Sequence, residues 1–300
     1  MPKLLPDYKE FSIHEGLQPF SKIRLVALDL DGTLLSSNDE QLPRKVLELA
    51  RKLDNHKHDV RLTIATGRTL NGTRKLLEML PIRKDTPIIL YNGNVIINSD
   101  YEVLYRNTLT LETFQQVLQL SNKFKVKVMA YSYEWFKNDE PKEYAFGWSA
   151  YDRTELDYNK MPISWCEWKD SIYECSPSAI VIHTQGDYHT TQALSEGLDA
   201  ISGICYTHGR TYIEVGPVNS NKGKALEFSA RCLKFTADQV LAIGDNDNDA
   251  EMLSWAGIGV AVDSASERAL SCSDYITKRG VMEGAVEVMK LVHSARRLLQ

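Results

Sequence analysis

The sequence lacks a basic excess, a cysteine framework and a long apolar run, and each absence excludes a class of protein. Lysine and arginine number 35 against 40 aspartates and glutamates, for a net charge of -5 and a pI near 5.9. A nucleic-acid partner is therefore not expected, because neutralising a phosphate backbone needs a basic face. The five cysteines are odd in number, scattered and never spaced as CxxC, which speaks against a disulfide framework and a zinc site. Reduced, mostly buried thiols are expected. No apolar run approaches the roughly 20 residues that span a bilayer, and the first residues, MPKLLPDYKEFSIHEG, carry acids and no apolar signal core. These features predict a cytoplasmic chain with no membrane partner and with a short, poorly ordered extension over residues 1–20. Repeats and low-complexity tracts are also missing. What remains is a chain of 300 residues, 43% of them hydrophobic, enough for one large domain or two smaller ones.

Short β-branched runs alternate with helical patterns. IRLVAL (23–28), VRLTIA (60–65) and PIILY (87–91) read as strands separated by helices near 40–54 and 69–80. Toward the other end QVLAI (239–243), IGVAV (258–262) and 275–277 repeat the pattern, with helices near 222–234, 248–255, 265–271 and 281–298. The spacing predicts an α/β fold, a doubly wound parallel sheet built from residues 21–93 and 214–300. Residues 94–213 differ in composition and hold four of the five tryptophans. They suit a separate inserted α/β domain, with elements near 125–130, 179–183 and 191–201.

Two acidic clusters follow apolar strands. DLDGT places Asp29 and Asp31 at the end of the first strand, where alternation turns both the same way and sends Leu30 back into the core. Two carboxylates so close require a positive partner. The pentapeptide alone also fits a calcium-type loop, but no further acids follow at that spacing. GDNDND, 244–249, sits after QVLAI, so in a parallel sheet Asp245 opens on the same edge as Asp29 and Asp31. Carboxylate oxygens without histidine or cysteine suit a hard cation, Mg²⁺ in particular. TGRT sets Thr66 and Gly67 at a strand end and helix start, where unpaired N–H groups favour an anion. Lys222 opens the helix after NSN and carries a cation toward the same edge. Alone, each of these last two is an ordinary turn or a solvated lysine; order and placement give them weight.

With these four motifs in this order, the chain resembles the haloacid dehalogenase-like hydrolases, and within them the Cof-type, subclass IIB sugar-phosphatase-like branch. YNG at 91–93 is similar to that branch's signal where the insert begins. The resemblance implies a Rossmann-like catalytic core, 94–213 as a substrate-specificity cap, and a Mg²⁺-dependent phosphatase working through an aspartyl phosphate. Asp29 would be the nucleophile and Asp31 the acid–base. Thr66, Gly67, Lys222 and Asn248 would bind phosphate. Asp29, Asp31 and Asp245 would hold the metal, and Asp249 would support Lys222 or a metal-bound water.

The expected substrate is a small phosphorylated metabolite, sugar phosphates first and pyridoxal or nucleotide phosphates behind. Candidates to contact it in the cap are His208, Arg210, Tyr212 and Glu214, with Tyr133, Trp135 and His183 beside them. The aromatics have cap-core packing as their commoner use. His56 and His58 read as a solvated loop, and the C-terminal pattern reads as a helix packed on the sheet. A phosphomutase of the same fold and a phosphate-sensing regulatory protein are the alternatives. An intact Asp31 argues against the second, because a lasting phosphoryl signal should not sit beside a group able to hydrolyse it. Oligomeric state is not legible.

Overall fold

The computed structural model describes residues 2–6, 16–36, 41–54, 59–134, 142–153, 161–168 and 176–297. Its elements begin with β1 (Lys3–Leu4), α1 (Gln18–Ser21), β2 (Leu25–Leu28), α2 (Arg44–Leu53), β3 (Arg61–Ile64), α3 (Leu70–Met79), β4 (Ile88–Leu90) and β5 (Val95–Ile97). The middle of the chain supplies β6 (Val103–Arg106), α4 (Leu111–Lys123), β7 (Lys127–Glu134), β8 (Lys142–Trp148), β9 (Ile163–Trp165), β10 (Ala179–His183), α5 (Tyr188–Asp199), β11 (Ile204–His208) and β12 (Tyr212–Pro217). The last part holds α6 (Lys222–Cys232), β13 (Val240–Gly244), α7 (Ala250–Trp255), β14 (Ile258–Ala261), α8 (Glu267–Ser271), β15 (Tyr275–Ile276) and α9 (Glu283–Arg297). They fall into two compact units, one of Met1–Gly67, Thr73–Asp100 and Asn221–Gln300, the other of Arg68–Gly72 and Tyr101–Ser220.

In the first unit a parallel sheet runs β1-β15-β14-β13-β2-β3. Strands β2, β13 and β14 are buried along their whole length, as continuous apolar runs require when helices cover both faces. Leu25, Ala27, Val240 and Ala242 pack with Ala225, Leu226 and Ala230 of α6 and with Met252 and Leu253 of α7. The alternate residues Val26, Leu28, Leu241 and Ile243 are equally buried. Helices α2 and α9 pack on each other, and α1 on α9; Val46, Leu53, Val288 and Val292 are buried there, as a second layer requires. The chain leaves β2 toward β3 and returns through β13 on β2's other side, so the order reverses between β2 and β13. Ligands of doubly wound sheets bind at the carboxyl ends of strands at such a reversal.

Two features differ from the sequence reading. PIILY is not a full member of the parallel sheet: β4 meets it through a single bridge, Ala65 to Ile89, and pairs antiparallel with β5 in a hairpin. The turn YNG folds the chain back on itself, so Val95–Ile97 clusters with the first unit. The extension is also not wholly unstructured. Lys3 and Leu4 pair in parallel with Tyr275 and Ile276, and Leu5, Leu17 and Phe20 are buried, because a leucine and an aromatic near the sheet edge gain more by burial than the backbone loses by ordering. Residues 7–15, His56, His58 and Trp135 lie outside the described residues.

The second unit is a sheet in the order β11-β12-β10-β7-β8-β9, antiparallel except between β8 and β9. Phe114 and Val117 of α4 and Leu194 and Leu198 of α5 pack on Val128, Ile180, Ile182, Ile213 and Val215. Trp148 is buried there with its ring edge-on to Phe114 at 5.8 Å, so this tryptophan is core. Cys166, Cys205, Cys232 and Cys272 are free thiols, yet none is buried and two are exposed. The expectation of buried thiols is corrected for these four, Cys175 lying outside the described residues: Cys205 lies on the edge strand β11 and Cys232 in the last turn of α6, positions that face solvent. No helix among the described residues is long and apolar enough to cross a membrane.

Candidate active site

Register brings the two acidic clusters together. Leu28 pairs with Ile243 across β2 and β13, and the Asp29 N–H extends the ladder to the Ile243 carbonyl at 3.1 Å. Asp29 and Asp245 thus leave neighbouring strand ends. Past Asp29 the chain turns at once: Leu30 is fully buried, its carbonyl accepts the N–H groups of Thr33 and Leu34, and Gly32 donates to the Leu35 carbonyl at 2.9 Å. Asp31 lies partly buried in this turn. Thr33 donates its hydroxyl to Asp245 Oδ1 at 3.2 Å.

Gly32 has φ +89, and a Cβ there would lie 2.1 Å from Asp245 Oδ2. Only glycine combines that backbone with that close approach. Gly32→Ala is expected to push Asp245 aside and cost roughly 1–3 kcal/mol of stability, measured by chemical denaturation. An unchanged midpoint would mean that Asp245 moves without cost.

Lys222 is the first residue of α6, and Asn221 caps that helix by accepting the Lys224 N–H at 2.8 Å. A cation is poorly placed at a helix N-terminus, and the side chain instead turns inward. Its Nζ lies 2.7 Å from both Asp29 Oδ1 and Asp249 Oδ1, with 1% of the lysine side chain exposed. Asp249 is fully engaged, since its Oδ2 accepts the backbone N–H groups of Asp245 and Asn246 at 3.0 and 3.1 Å. It is a buried support for Lys222.

Three carboxylates surround this single ammonium. Burial, then the Asp249 charge, push Asp29 well above the usual carboxylate range, and Lys222 only partly offsets them. Burial and Asp249 likewise push Asp245 up to about 6. Burial alone would lower Lys222, but the charges of Asp249 and Asp29 outweigh it and hold the ammonium above its ordinary value. Asp29 therefore rises although it is ion-paired: one cation does not balance two buried carboxylates and a half-buried third. The site lacks positive charge. Ligand oxygens of Asp29, Asp245 and Asp249 lie within 4.8 Å of one another, an all-oxygen set that fits a hard divalent cation. Asp249 has both oxygens engaged within the protein, whereas Asp29 and Asp245 each use Oδ1 in a side-chain bond, to Lys222 and from Thr33.

The neighbouring loops complete the edge. Thr66 follows β3, is buried, and donates its N–H to the Ile89 carbonyl at 3.0 Å; Gly67 follows it. Asn248, in the turn 247–249, donates its amide Nδ2–H to Asn92 Oδ1 at 2.9 Å. Asn92 belongs to the candidate site's surroundings although the sequence marked YNG only as the start of the insert. Asp29, Asp31, Thr66, Gly67, Lys222, Asp245, Asn248 and Asp249 all belong to the first unit.

The four cap candidates lie in the second unit and do not form one group. His208 pairs in register with Ile213, and Glu214 with Thr207 and Val181. Alternation puts His208 on the Ile213 side, where its Nε2 is 2.9 Å from Ser195 Oγ of α5, while Glu214 and Tyr212 face the opposite way. Arg210 is exposed in the hairpin between them.

Comparison with known proteins agrees with this architecture. Residues 26–289 match the profile of the haloacid dehalogenase-like hydrolases. A 5-amino-6-(5-phospho-D-ribitylamino)uracil phosphatase of Bacillus subtilis is 29% identical over 272 residues, 89% of this chain and 95% of its own. An HMP-PP phosphatase of Escherichia fergusonii is 29% identical over 245 residues, 81% of this chain and 85% of its own. The crystal structure of a haloacid dehalogenase-like hydrolase from Bacteroides thetaiotaomicron superposes with a TM-score of 0.73 at 26% identity, over 89% of this chain and 98% of that one.

Proposed function

The chain belongs to the haloacid dehalogenase-like hydrolases, and on that footing we propose that it is a Mg²⁺-dependent phosphatase of small phosphorylated metabolites, sugar phosphates first among them. The observation that carries this reading is the buried arrangement of Asp29, Lys222 and Asp249 beside Asp245, one cation short of balance. A substrate phosphate adds negative charge, so a divalent cation is needed for it to enter.

Asp29 attacks phosphorus in line, the ester P–O bond breaks, and Asp31 protonates the departing oxygen. Asp31 then takes a proton from water, the water oxygen attacks the aspartyl phosphate, and phosphate leaves with Asp29 regenerated. Thr66, the Gly67 N–H, Lys222 and the Asn248 amide neutralise and orient the phosphoryl oxygens. Bound by the Asp29 and Asp245 carboxylates with the Asp31 carbonyl, Mg²⁺ would supply the charge that lets a carboxylate approach a phosphate. Asp249 fixes Lys222 so that its ammonium stays at Asp29.

Relatives at the same identity are named for different phosphorylated compounds, so the test is a panel. Phosphate release is measured from sugar phosphates, pyridoxal phosphate, nucleotides and p-nitrophenyl phosphate, with Mg²⁺ or EDTA. Release that requires Mg²⁺ is expected, and the Mg²⁺ needed for half-activation should fall as pH rises through about 6, where Asp245 gives up its proton. No release from any compound, or release indifferent to EDTA, refutes the proposal. Isomerised product in place of phosphate would make the protein a mutase.

A further inference from the structure

One turn with no part in the bond-making steps touches three of the segments that would hold phosphate. Tyr91, Asn92 and Gly93 have φ of 52, 52 and 95, three consecutive residues in the left-handed region. Such a run is costly for side-chain-bearing residues. It is held by the Asn94 side chain and N–H, both donating to the Tyr91 carbonyl at 3.0 Å, and by the full burial of Tyr91. The turn then makes three separate contacts. Its Asn92 N–H donates to the Thr66 carbonyl at 3.0 Å, and a Cβ on Gly67 would lie 3.0 Å from Asn92 Nδ2. Gly93 lies under Asn221, where a Cβ would come within 2.5 Å of the carbonyl oxygen of the residue that precedes Lys222. Asn92 Oδ1 accepts from Asn248 Nδ2.

The last contact carries chemistry. Asn248 Oδ1 is buried and has no hydrogen-bond partner among the described residues, so the amide is held through its NH₂ end alone. Turning it over would set its carbonyl oxygen against Asn92 Oδ1. Asn92 thus takes one Nδ2 hydrogen, fixes the sense of the amide, and leaves the second hydrogen for a ligand oxygen. The position needs a residue that tolerates φ above zero and presents a side-chain acceptor, and asparagine meets both demands.

We propose that Asn92 is a positioning residue of this site, orienting the Asn248 amide as a donor to the substrate phosphate; the proposal rests on the reading of Asn248 as a phosphate contact. The test is a double-mutant cycle of Asn92→Gly and Asn248→Ala, with kcat/KM and competitive inhibition by inorganic phosphate as readouts. Glycine keeps the left-handed backbone while removing the side chain that carries the acceptor, and thermal melting of each variant separates a loss of stability from a loss of positioning. Asn92→Gly is expected to lower kcat/KM roughly 10-fold and to weaken inhibition by phosphate in parallel. In the Asn248→Ala background the same change should cost less than about twofold, because its target is gone. Additive losses, or an impaired Asn248→Ala beside an unimpaired Asn92→Gly, overturn the positioning role alone. An unimpaired Asn248→Ala overturns the phosphate reading of Asn248, and the proposal with it.

Discussion

Asp29→Asn is expected to lower phosphate release by roughly 10⁴-fold or more while leaving the metal-free protein as stable as its parent or more so. The amide is not a nucleophile, yet it keeps the volume of the carboxylate, and the backbone bond from residue 29 to Ile243 is untouched. The stability argument follows from charge. Burial and Asp249 hold Asp29 well above the usual carboxylate range despite the bond to Lys222, so its ionised form is the costly one in the fold. Stability contributed by a raised acid is fully present below its unfolded value and is lost as pH rises through its folded value. The asparagine variant has no such loss, and Lys222 retains Asp249 as a partner at 2.7 Å. In EDTA, the melting temperature of the variant should therefore gain on the parent's as pH rises above the unfolded aspartate value of about 3.9. Mg²⁺ should reverse the order, because it stabilises the protein that binds it better. Retained turnover would remove Asp29 from the nucleophile's role, and a variant less stable in EDTA at the higher pH would show that the Lys222 pair outweighs the crowding.

Much of the fold and the centre of the site were legible because both rest on short-range patterns. The apolar runs before Asp29 and Asp245 predict strands, the parallel sheet puts both ends on one edge, and the observed pairing of Leu28 with Ile243 makes them neighbours. The contacts of Asn92 were not legible. They depend on a left-handed turn and on a partner 156 residues away, and neither leaves a periodic signal; asparagine before glycine announces a turn but not what its side chain meets. The cap candidates mixed two faces for a related reason. His208 and Glu214 are close in sequence, and only the register of β11 against β12 separates them.

Removing the opposite charge should have the opposite effect on stability. Lys222→Met keeps most of the side chain's length but leaves Asp29 and Asp249 without their shared cation, and 0% of the Asp249 side chain is exposed. Breaking a buried pair from one side costs about 3–5 kcal/mol, and turnover should fall with it because no ammonium remains for the phosphoryl oxygens. Lys222 is held above its ordinary value by Asp249 and Asp29 against the opposing effect of burial. Its contribution is thus fully present below the unfolded lysine value and is lost only as pH rises through the folded one, so the parent keeps it across the neutral range. In the variant Asp29, already raised by burial and the Asp249 charge, should rise further and recover stability by taking up a proton, narrowing the deficit as pH falls. Asp29→Asn in the Lys222→Met background should restore part of the loss, since it deletes one of the two stranded charges. Chemical denaturation of the four proteins measures each step. A Lys222→Met protein as stable as the parent at neutral pH would mean that the three carboxylates share protons well enough to need no ammonium, and the charge balance argued for this site would fail.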